Sequence, residues 1–175
     1  MSEKYIFYPN IDLDLDLIQQ ICIRNMDILY SDLKTHQRKV QNEPYLVELR
    51  KKYPFLSPLY NIYTTPAGYI TPIHICPSRG CALNIPVIYT EDSHTIFYEL
   101  KGDVIKKYSV PRVYEIIESD TVEVYRYTLD RPVIMNTQLP HGVIGGPKGP
   151  RTIMSWSIDL KYDYQTVKRI IGSVK

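Results

Sequence analysis

After Pro54 the helical periodicity of the chain disappears, and short apolar runs separated by turn residues take its place. The runs are rich in Val, Ile, Thr and Tyr, and Pro, Gly, Asn or charged residues interrupt them. Many short strands at regular spacing are typical of an antiparallel sandwich or barrel. The predicted strands are residues 59–64, 69–74, 82–89, 95–100, 104–108, 122–128, 133–136, 142–144 and 152–158.

The chain before Pro54 has a different pattern. Residues 4–8 (KYIFY) predict a short strand, and from Asp12 onward apolar residues recur at steps of three and four, which predicts one apolar helix face. Alternating aspartates at the start of this helix resemble a metal cluster, but a helix N-terminus favours such charges on its own. A second helix is predicted at Pro44–Lys52 and a short third one at Tyr164–Ile171. In the first predicted helix, which follows Asp12, the apolar face consists of Leu17, Ile18, Ile21, Cys22, Met26, Leu29 and Leu33.

A length of 175 residues suits one domain with a substantial core. We find no internal repeat or interdomain linker, so we expect a single unit over 1–175. Residues 1–55 would supply an N-terminal strand and helices, 56–160 a β core, and 161–175 a C-terminal tail. Tyrosine is abundant, with 16 residues against 3 Phe and 1 Trp, which favours strands and amphipathic cavity walls.

Charge and cysteine content restrict the class of protein. A formal charge of +2 disfavours nucleic acid and anionic membranes as partners. Three cysteines, Cys22, Cys76 and Cys81, do not make a disulfide framework, which favours a reducing compartment. The N-terminus lacks the basic start and apolar core of a signal peptide, and no apolar run reaches the ~18 residues of a membrane span. We therefore expect a soluble, cytoplasmic protein without a membrane partner.

The residues with chemical potential lie at predicted strand ends. His141 opens a strand after Pro140, Arg151 begins the next one, and His74 ends the apolar run YITPIH. A neutral imidazole binds divalent metals, and a guanidinium grips a carboxylate through two hydrogen bonds. On one wall of a barrel, these residues would hold a metal and a small dicarboxylic acid. The structural alternatives are ordinary strand-end histidines and a surface ion pair of Arg151.

Other polar residues are weaker candidates. Asn84 interrupts the apolar strand CALNIPV on the face opposite its neighbours, and strand alternation places Ser155 on the same face as Arg151. His36 lies in a polar stretch and is interpreted as a solvated surface residue. His94 is interpreted as structural, with replacement of a metal ligand as its alternative. Arg79 is interpreted as a solvated loop charge, with contact to an acidic substrate as its alternative.

Three segments resemble a known family, the double-stranded β-helix (jelly-roll) oxygenases that depend on Fe(II) and 2-oxoglutarate. The segments are SPLYNIYTTPAGYITPIHIC, CALNIPVIYTEDSHTIFYE and PVIMNTQLPHGVIGGPKGPRTIMSWSID. The chain is most similar to the compact forms found in phage and environmental sequences, and more distantly to the aspartyl/asparaginyl β-hydroxylases. The family has a His-x-Asp/Glu pair after its second core strand, a distal His opening the seventh and an Arg opening the eighth. By order and strand context, His74, His141 and Arg151 match.

The resemblance implies a mainly β, cupin-like jelly roll with N-terminal helices. It also implies Fe(II) as cofactor, 2-oxoglutarate as cosubstrate, and O2 and a second, unidentified substrate as further partners. Phage origin is a possible source of such a chain. In this reading His74 and His141 bind the metal and Arg151 binds the cosubstrate. Asn84 and Ser155 are candidate cosubstrate contacts, although Ser155 lies four residues after Arg151, a longer gap than is common in the family.

One position departs from the family pattern: Cys76 stands where the family carries its metal-binding carboxylate. Two histidines and one carboxylate normally leave three iron sites open for the cosubstrate and oxygen. Three outcomes follow for this chain. The metal is held by two histidines and water; or the Cys76 thiolate ligates it, which favours Zn²⁺ and exposes the sulfur to oxidation; or the oxygenase site has been lost.

The leading functional prediction is therefore a 2-oxoglutarate-dependent dioxygenase of the hydroxylase type, acting on an unknown substrate. Its alternative is a cupin-like protein that binds a metal or a small carboxylate without oxygenase activity. A third hypothesis is a structural or interaction module without a functional metal.

Overall fold

A computed structural model describes residues 2–26, 36–40, 42–102, 107–110, 113–116 and 120–172. Within these ranges the chain forms three α-helices and twelve β-strands. Two short strands alternate with two helices at the start, a series of ten strands follows, and a helix ends the described part.

The helices begin and end where local chemistry favours it. Helix α1 spans Leu15–Arg24, and the side chain of Asp14 caps it by accepting a hydrogen bond of 2.9 Å from the Leu17 amide. Helix α2 spans Pro44–Lys52 and starts with proline, whose missing N–H costs nothing at that position. Helix α3, Tyr164–Ile171, is capped in the same way as α1, by Asp163. The capping supports the interpretation of the aspartates as helix-start charges. The predicted continuation of α1 to Leu29 and Leu33 lies outside the described residues.

The strands are short, as predicted. They are β1 (Ile6–Phe7), β2 (His36–Val40), β3 (Leu56–Thr65), β4 (His74–Ile75), β5 (Cys81–Ile88), β6 (His94–Leu100), β7 (Lys107–Val110), β8 (Val113–Glu115), β9 (Thr121–Tyr127), β10 (Val133–Met135), β11 (His141–Ile144) and β12 (Arg151–Ile158).

Two antiparallel sheets contain these strands. The first has the order β1-β10-β5-β12-β3-β2 and the second has the order β7-β8-β4-β11-β6-β9. From β3 to β6 the chain changes sheet with every strand, and it does so again from β9 to β12. This pattern places eight strands in two four-stranded halves and is that of a double-stranded β-helix, or jelly roll. The predicted fold class is confirmed.

The first sheet separates two apolar layers. Its outer face packs under the helices, where Ile18 and Ile21 of α1 and Leu46 of α2 join Met154 and Trp156 of β12 in one buried cluster. Its inner face turns toward the second sheet, where a second buried cluster lies. Because side chains alternate along β12, Ile153, Ser155 and Ser157 point into the space between the sheets. The inner cluster contains Tyr5, Ile6, Phe97, Tyr127, Leu129, Val133, Met135 and Ile153.

Some predicted elements differ from the structure. The run 69–74 is not a continuous strand: Ile70 makes an isolated bridge, and pairing resumes only at His74, which begins β4 instead of ending a strand. Pro72 interrupts the run because it has no N–H to donate. Strands β2 and β8 were not predicted, and part of the predicted strand 104–108 lies outside the described residues. None of the helices in the described ranges has the length and apolarity that a bilayer crossing demands.

Candidate metal centre

His74 and His141 face each other across two neighbouring strands. Strands β4 and β11 are antiparallel, and the two histidines are direct partners in the register. Directly opposed residues project to the same face of a sheet, so the rings are neighbours, with centroids 4.3 Å apart and an interplanar angle of 55°. The fold thus brings into contact two imidazoles that are 67 positions apart in the sequence.

Hydrogen bonds within each strand orient both rings. The Nδ1 atom of His74 lies 2.9 Å from the Pro72 carbonyl oxygen, and that of His141 lies 2.8 Å from the Leu139 carbonyl oxygen. A carbonyl oxygen only accepts, so each Nδ1 carries a proton. In the neutral ring, Nε2 then presents a lone pair. Histidines that bind metals usually show this arrangement, with the second nitrogen held by a carbonyl or carboxylate.

Cys76 completes the cluster. One donor atom from each of His74, His141 and Cys76 can be chosen so that all three lie within 4.8 Å of one another. Cys76 and His141 are buried, and the Cys76 amide is fixed by a 3.0 Å hydrogen bond to the Thr137 carbonyl oxygen in the segment before β11. The segment after β4 and the segment before β11 therefore hold the sulfur beside both rings.

The surroundings of Cys76 favour its ionised form. Burial opposes ionisation, but hydrogen bonds from His141 and His74 and the charge of Arg79 outweigh it and lower the pKa of Cys76 to about 4. Burial also opposes the charged form of His74, yet the hydrogen bond and charge of Cys76 raise its pKa. For His141, burial and the neighbouring charge of His74 lower the pKa. The cluster thus contains a Cys76 side chain whose thiolate form is favoured, beside His141, whose neutral form is favoured.

This donor set fits a divalent transition metal. Two imidazole nitrogens and one thiolate sulfur are borderline-to-soft ligands that suit zinc and iron, and the cluster contains no carboxylate among the described residues. Magnesium and calcium require oxygen ligands and do not fit. The cluster is a possible metal site, in which His74, His141 and Cys76 are the predicted ligands.

Arg151 reaches across the interior from the first sheet. Its side chain is 2% exposed, and its Nη2 donates a 3.4 Å hydrogen bond to Thr95 Oγ1 on β6. Thr95 lies two residues from Phe97, the partner of His141, so the threonine is about 7 Å along the strand from the histidine. The Nε of Arg151 has no partner among the described residues, and burial lowers the pKa of its guanidinium to about 10. A buried cation with a free Nε and no carboxylate partner among the described residues favours the binding of an anion.

Asn84 and Ser155 lie together on the inner face of the first sheet. They are direct partners between β5 and β12, and they are 4% and 1% exposed. The Nδ2 of Asn84 lies 3.7 Å from the sulfur of Met135, its side chain also hydrogen-bonds with Tyr127, and its Oδ1 has no partner among the residues with described placement. Ser155 Oγ accepts a 3.3 Å hydrogen bond from Arg79. The structure therefore groups Ser155 with Arg79 and not with Arg151, and the predicted cosubstrate role of both residues stays a prediction.

Arg79 differs from its interpretation as a solvated loop charge. Its guanidinium is half-buried and bridges the two halves of the site. Nη2 lies 3.6 Å from Cys76 Sγ, and Nη1 lies 3.3 Å from Ser155 Oγ. The sequence offered one signal, an arginine in the short loop between His74 and the next strand. The position of Arg79 in the loop does not indicate that its side chain points into the interior.

The remaining histidine with a described side chain lies outside the cluster. His94 opens β6, and its Nδ1 contacts Thr128 Oγ1 at 3.1 Å. The metal cluster that the structure assembles does not include it, in agreement with its structural interpretation. The side chain of His36 lies outside the described part of the chain.

No protein-family model matches the sequence, and no curated protein matches it. Solved structures with similar folds include a prolyl-4-hydroxylase from Pseudomonas putida, which is 10% identical with a TM-score of 0.49 and 88% of this chain and 91% of the other covered. Vicilin from Corylus avellana is 11% identical with a TM-score of 0.41, and the match covers 75% of this chain but only 30% of vicilin. An L-ribose isomerase from Cellulomonas parahominis is 14% identical with a TM-score of 0.40, over 71% and 61% of the two chains. The chain thus spans less than two thirds of the vicilin and isomerase chains. At these identities the likeness concerns the fold alone.

Proposed function

We propose that this protein is a non-haem Fe(II) oxygenase that uses 2-oxoglutarate to hydroxylate an organic substrate. One observation carries the proposal: two facing imidazoles present their Nε2 atoms to an interior that also contains the guanidinium of Arg151, whose Nε has no partner among the described residues. A metal and a dicarboxylic acid are complementary to these two groups. The partners of the reaction would be 2-oxoglutarate, O2 and a second substrate.

The chain would hold the ion through His74, His141 and Cys76. When bound, iron supplies the activation of oxygen and the oxidation of the C–H bond, which protein side chains cannot supply. The protein orients the two imidazoles through the Pro72 and Leu139 carbonyl groups. Preorganisation of this kind keeps the donor atoms in place before the ion arrives.

Arg151 would bind the distal carboxylate of the cosubstrate. A carboxylate paired with its free Nε and with Nη2 satisfies a buried donor and neutralises a buried charge. Charge-assisted hydrogen bonds of this kind contribute roughly 1.5–3 kcal/mol each in net terms. Tyr127 lies beside the guanidinium and hydrogen-bonds to Thr95, so it would help to shape the carboxylate pocket.

A second function is supported by Cys76. A thiolate beside two imidazoles is a common zinc donor set, and a thiolate next to oxygen-activating iron is vulnerable to oxidation. The second candidate is therefore a cupin-like protein that binds zinc and a small carboxylate without oxygenase activity. Both candidates use the same residues and differ in the ion and in the requirement for oxygen.

One experiment separates them. Metal-free protein is titrated with Fe²⁺ and 2-oxoglutarate without oxygen, and the weak visible charge-transfer band of the chelate is recorded. Oxygen is then admitted, and succinate is measured. We expect the band and the succinate in the wild type, and their loss in His141→Ala. If Zn²⁺ binds tightly and neither signal develops with Fe²⁺, the zinc-binding function replaces the oxygenase.

A further inference from the structure

A second cation lies beside the metal centre, and the proposed reaction does not use it. Arg79 contacts Cys76 Sγ and Ser155 Oγ, and its Nε has no partner in the part of the chain that the structure describes. Among those residues, no carboxylate forms an ion pair with Arg79 or with Arg151. A half-buried guanidinium without a carboxylate partner is a potential anion site, because guanidinium forks match carboxylates.

The loop that carries Arg79 is fixed from several sides. Its carbonyl oxygen accepts hydrogen bonds from Thr137 Oγ1 at 3.3 Å and from Gln138 Nε2. The amide of Gly80 donates to the Ile158 carbonyl oxygen at 3.1 Å. A side chain at position 80 would overlap the backbone of the segment after β12. The guanidinium is therefore presented by a rigid support, as recognition residues usually are.

A buried polar strip runs across the first sheet next to Arg79. Asn61 of β3, Ser155 of β12 and Asn84 of β5 are direct partners in the register. All three are at most 7% exposed. Buried polar residues are costly unless they are hydrogen-bonded, and the Asn84 Oδ1 atom has no partner among the described residues. This unsatisfied acceptor, beside Ser155 and Arg79, points to a ligand that carries an N–H or O–H donor.

The Arg79 and Ser155 part of the strip is separate from the cosubstrate pocket, whereas Asn84 contacts Tyr127, which lies beside Arg151. Ser155 lies four residues after Arg151 on β12, which corresponds to about 13 Å of extended strand. Arg151 directs its guanidinium to Thr95 in the second sheet, whereas Ser155 accepts from Arg79. A carboxylate gripped by Arg151 is therefore not the group that Arg79 and Ser155 would hold.

The formal charges favour a monoanion at this second position. A dication, one thiolate and two guanidiniums leave three positive charges in the interior. A bound dicarboxylate cosubstrate removes two of them. One net positive charge remains in the interior, and a buried uncompensated charge is unfavourable. A single carboxylate on the second ligand would neutralise it.

We propose that Arg79, with Ser155, forms a second anion site that binds a carboxylate of the organic substrate, and that Asn84 Oδ1 accepts a hydrogen bond from an N–H or O–H group of the same ligand. The description of this ligand as a substrate rests on the proposed oxygenase function. The anion site itself requires only the described side chains. The substrate class is therefore a small molecule or a chain terminus with a free carboxylate, with its reactive carbon near the metal.

The test uses the full chain loaded with Zn²⁺, which cannot activate oxygen, and saturated with N-oxalylglycine, an analogue of 2-oxoglutarate that is not decarboxylated. The probes are N-acetylglycine and its neutral amide, N-acetylglycinamide, and their binding is measured by ligand-detected NMR. We expect the wild type to bind the carboxylate at least tenfold more tightly than the amide. Arg79→Gln should remove this preference and leave N-oxalylglycine affinity within about twofold.

Two further variants guard against a folding defect. Arg79→Lys keeps the charge but loses the fork, so it should restore part of the preference. Arg131→Gln removes a half-exposed arginine that stacks on Tyr8 and should change nothing.

Equal binding of acid and amide by the wild type would overturn the anion site. So would a loss of N-oxalylglycine affinity in Arg79→Gln, because it would assign Arg79 to the cosubstrate. If the wild type fails to bind N-oxalylglycine, the oxygenase function is refuted instead. The acid–amide comparison without N-oxalylglycine then still decides whether Arg79 selects a carboxylate.

Discussion

Arg151→Met is expected to stabilise the empty protein and to abolish binding of the dicarboxylate. The guanidinium is buried, and its hydrogen bond to Thr95, at 3.4 Å, is long for a charged donor. Burial lowers its pKa to about 10, and one pKa unit corresponds to about 1.4 kcal/mol. The charged form of Arg151 therefore costs the folded state about 3 kcal/mol. Because the folded pKa is lower than that of the unfolded chain, the penalty is fully present below pH 10 and an assay at pH 7.5 measures it.

Methionine follows the arginine side chain as far as Nε and has no charge and no buried donor. Removing the guanidinium relieves the penalty of about 3 kcal/mol and forfeits a hydrogen bond of about 1 kcal/mol. The net gain of about 2 kcal/mol corresponds to a rise in Tm of about 4–8 °C for a domain of this size. The same variant should lose the stabilisation that 2-oxoglutarate gives the wild type.

The measurement is a thermal melt at pH 7.5 by circular dichroism, with and without Zn²⁺ and 2-oxoglutarate. Arg131→Met is the control, and its Tm should stay within about 2 °C of the wild type because surface substitutions rarely exceed 0.5 kcal/mol. A fall in the Tm of Arg151→Met would refute the reasoning. It would show that interactions of the guanidinium in the ligand-free protein compensate the cost of burying its charge.

Three further results are expected. His141→Ala should weaken Zn²⁺ binding in a competition titration by at least tenfold, whereas His94→Ala should leave it unchanged; equal losses in the two variants would refute the ligand set. Cys76→Asp should shift metal preference from Zn²⁺ toward Fe²⁺, since an oxygen ligand replaces a soft sulfur; an unchanged preference would show that Cys76 is no ligand. Gly80→Ala should lower the free energy of unfolding in urea by about 1–3 kcal/mol, because its Cβ would overlap the Tyr162 carbonyl oxygen; an unaltered midpoint would contradict that packing.

The sequence predicted the fold class because local patterns and global fold agree along most of the chain. The proline at the start of α2 and the aspartate that caps α3 are local signals, and both helices have the predicted bounds. Strand β2 was not predicted, because HQRKV is polar and pairs only as an edge strand of the first sheet. Its assignment depends on the neighbouring β3, a long-range contact that local periodicity does not contain.

The candidate site was predictable to a lesser degree. His74 and His141 could be singled out because each stands at a strand end, but only the register shows that they are direct partners. Arg79 could not be assigned, because the direction of a loop side chain depends on tertiary contacts. Here Thr137 and Gln138, from a distant segment, hold the backbone of the loop, and the guanidinium contacts Ser155 and Cys76 in the interior.

The separation of the two facing histidines gives the metal a further consequence. An ion held by both would act as a removable cross-link that closes a loop of 67 positions, containing β5 to β10. A permanent link of that length removes about 4 kcal/mol of chain entropy from the unfolded state. Protease resistance of this block, and with it the lifetime of the protein in a cell, would then rise and fall with the supply of metal.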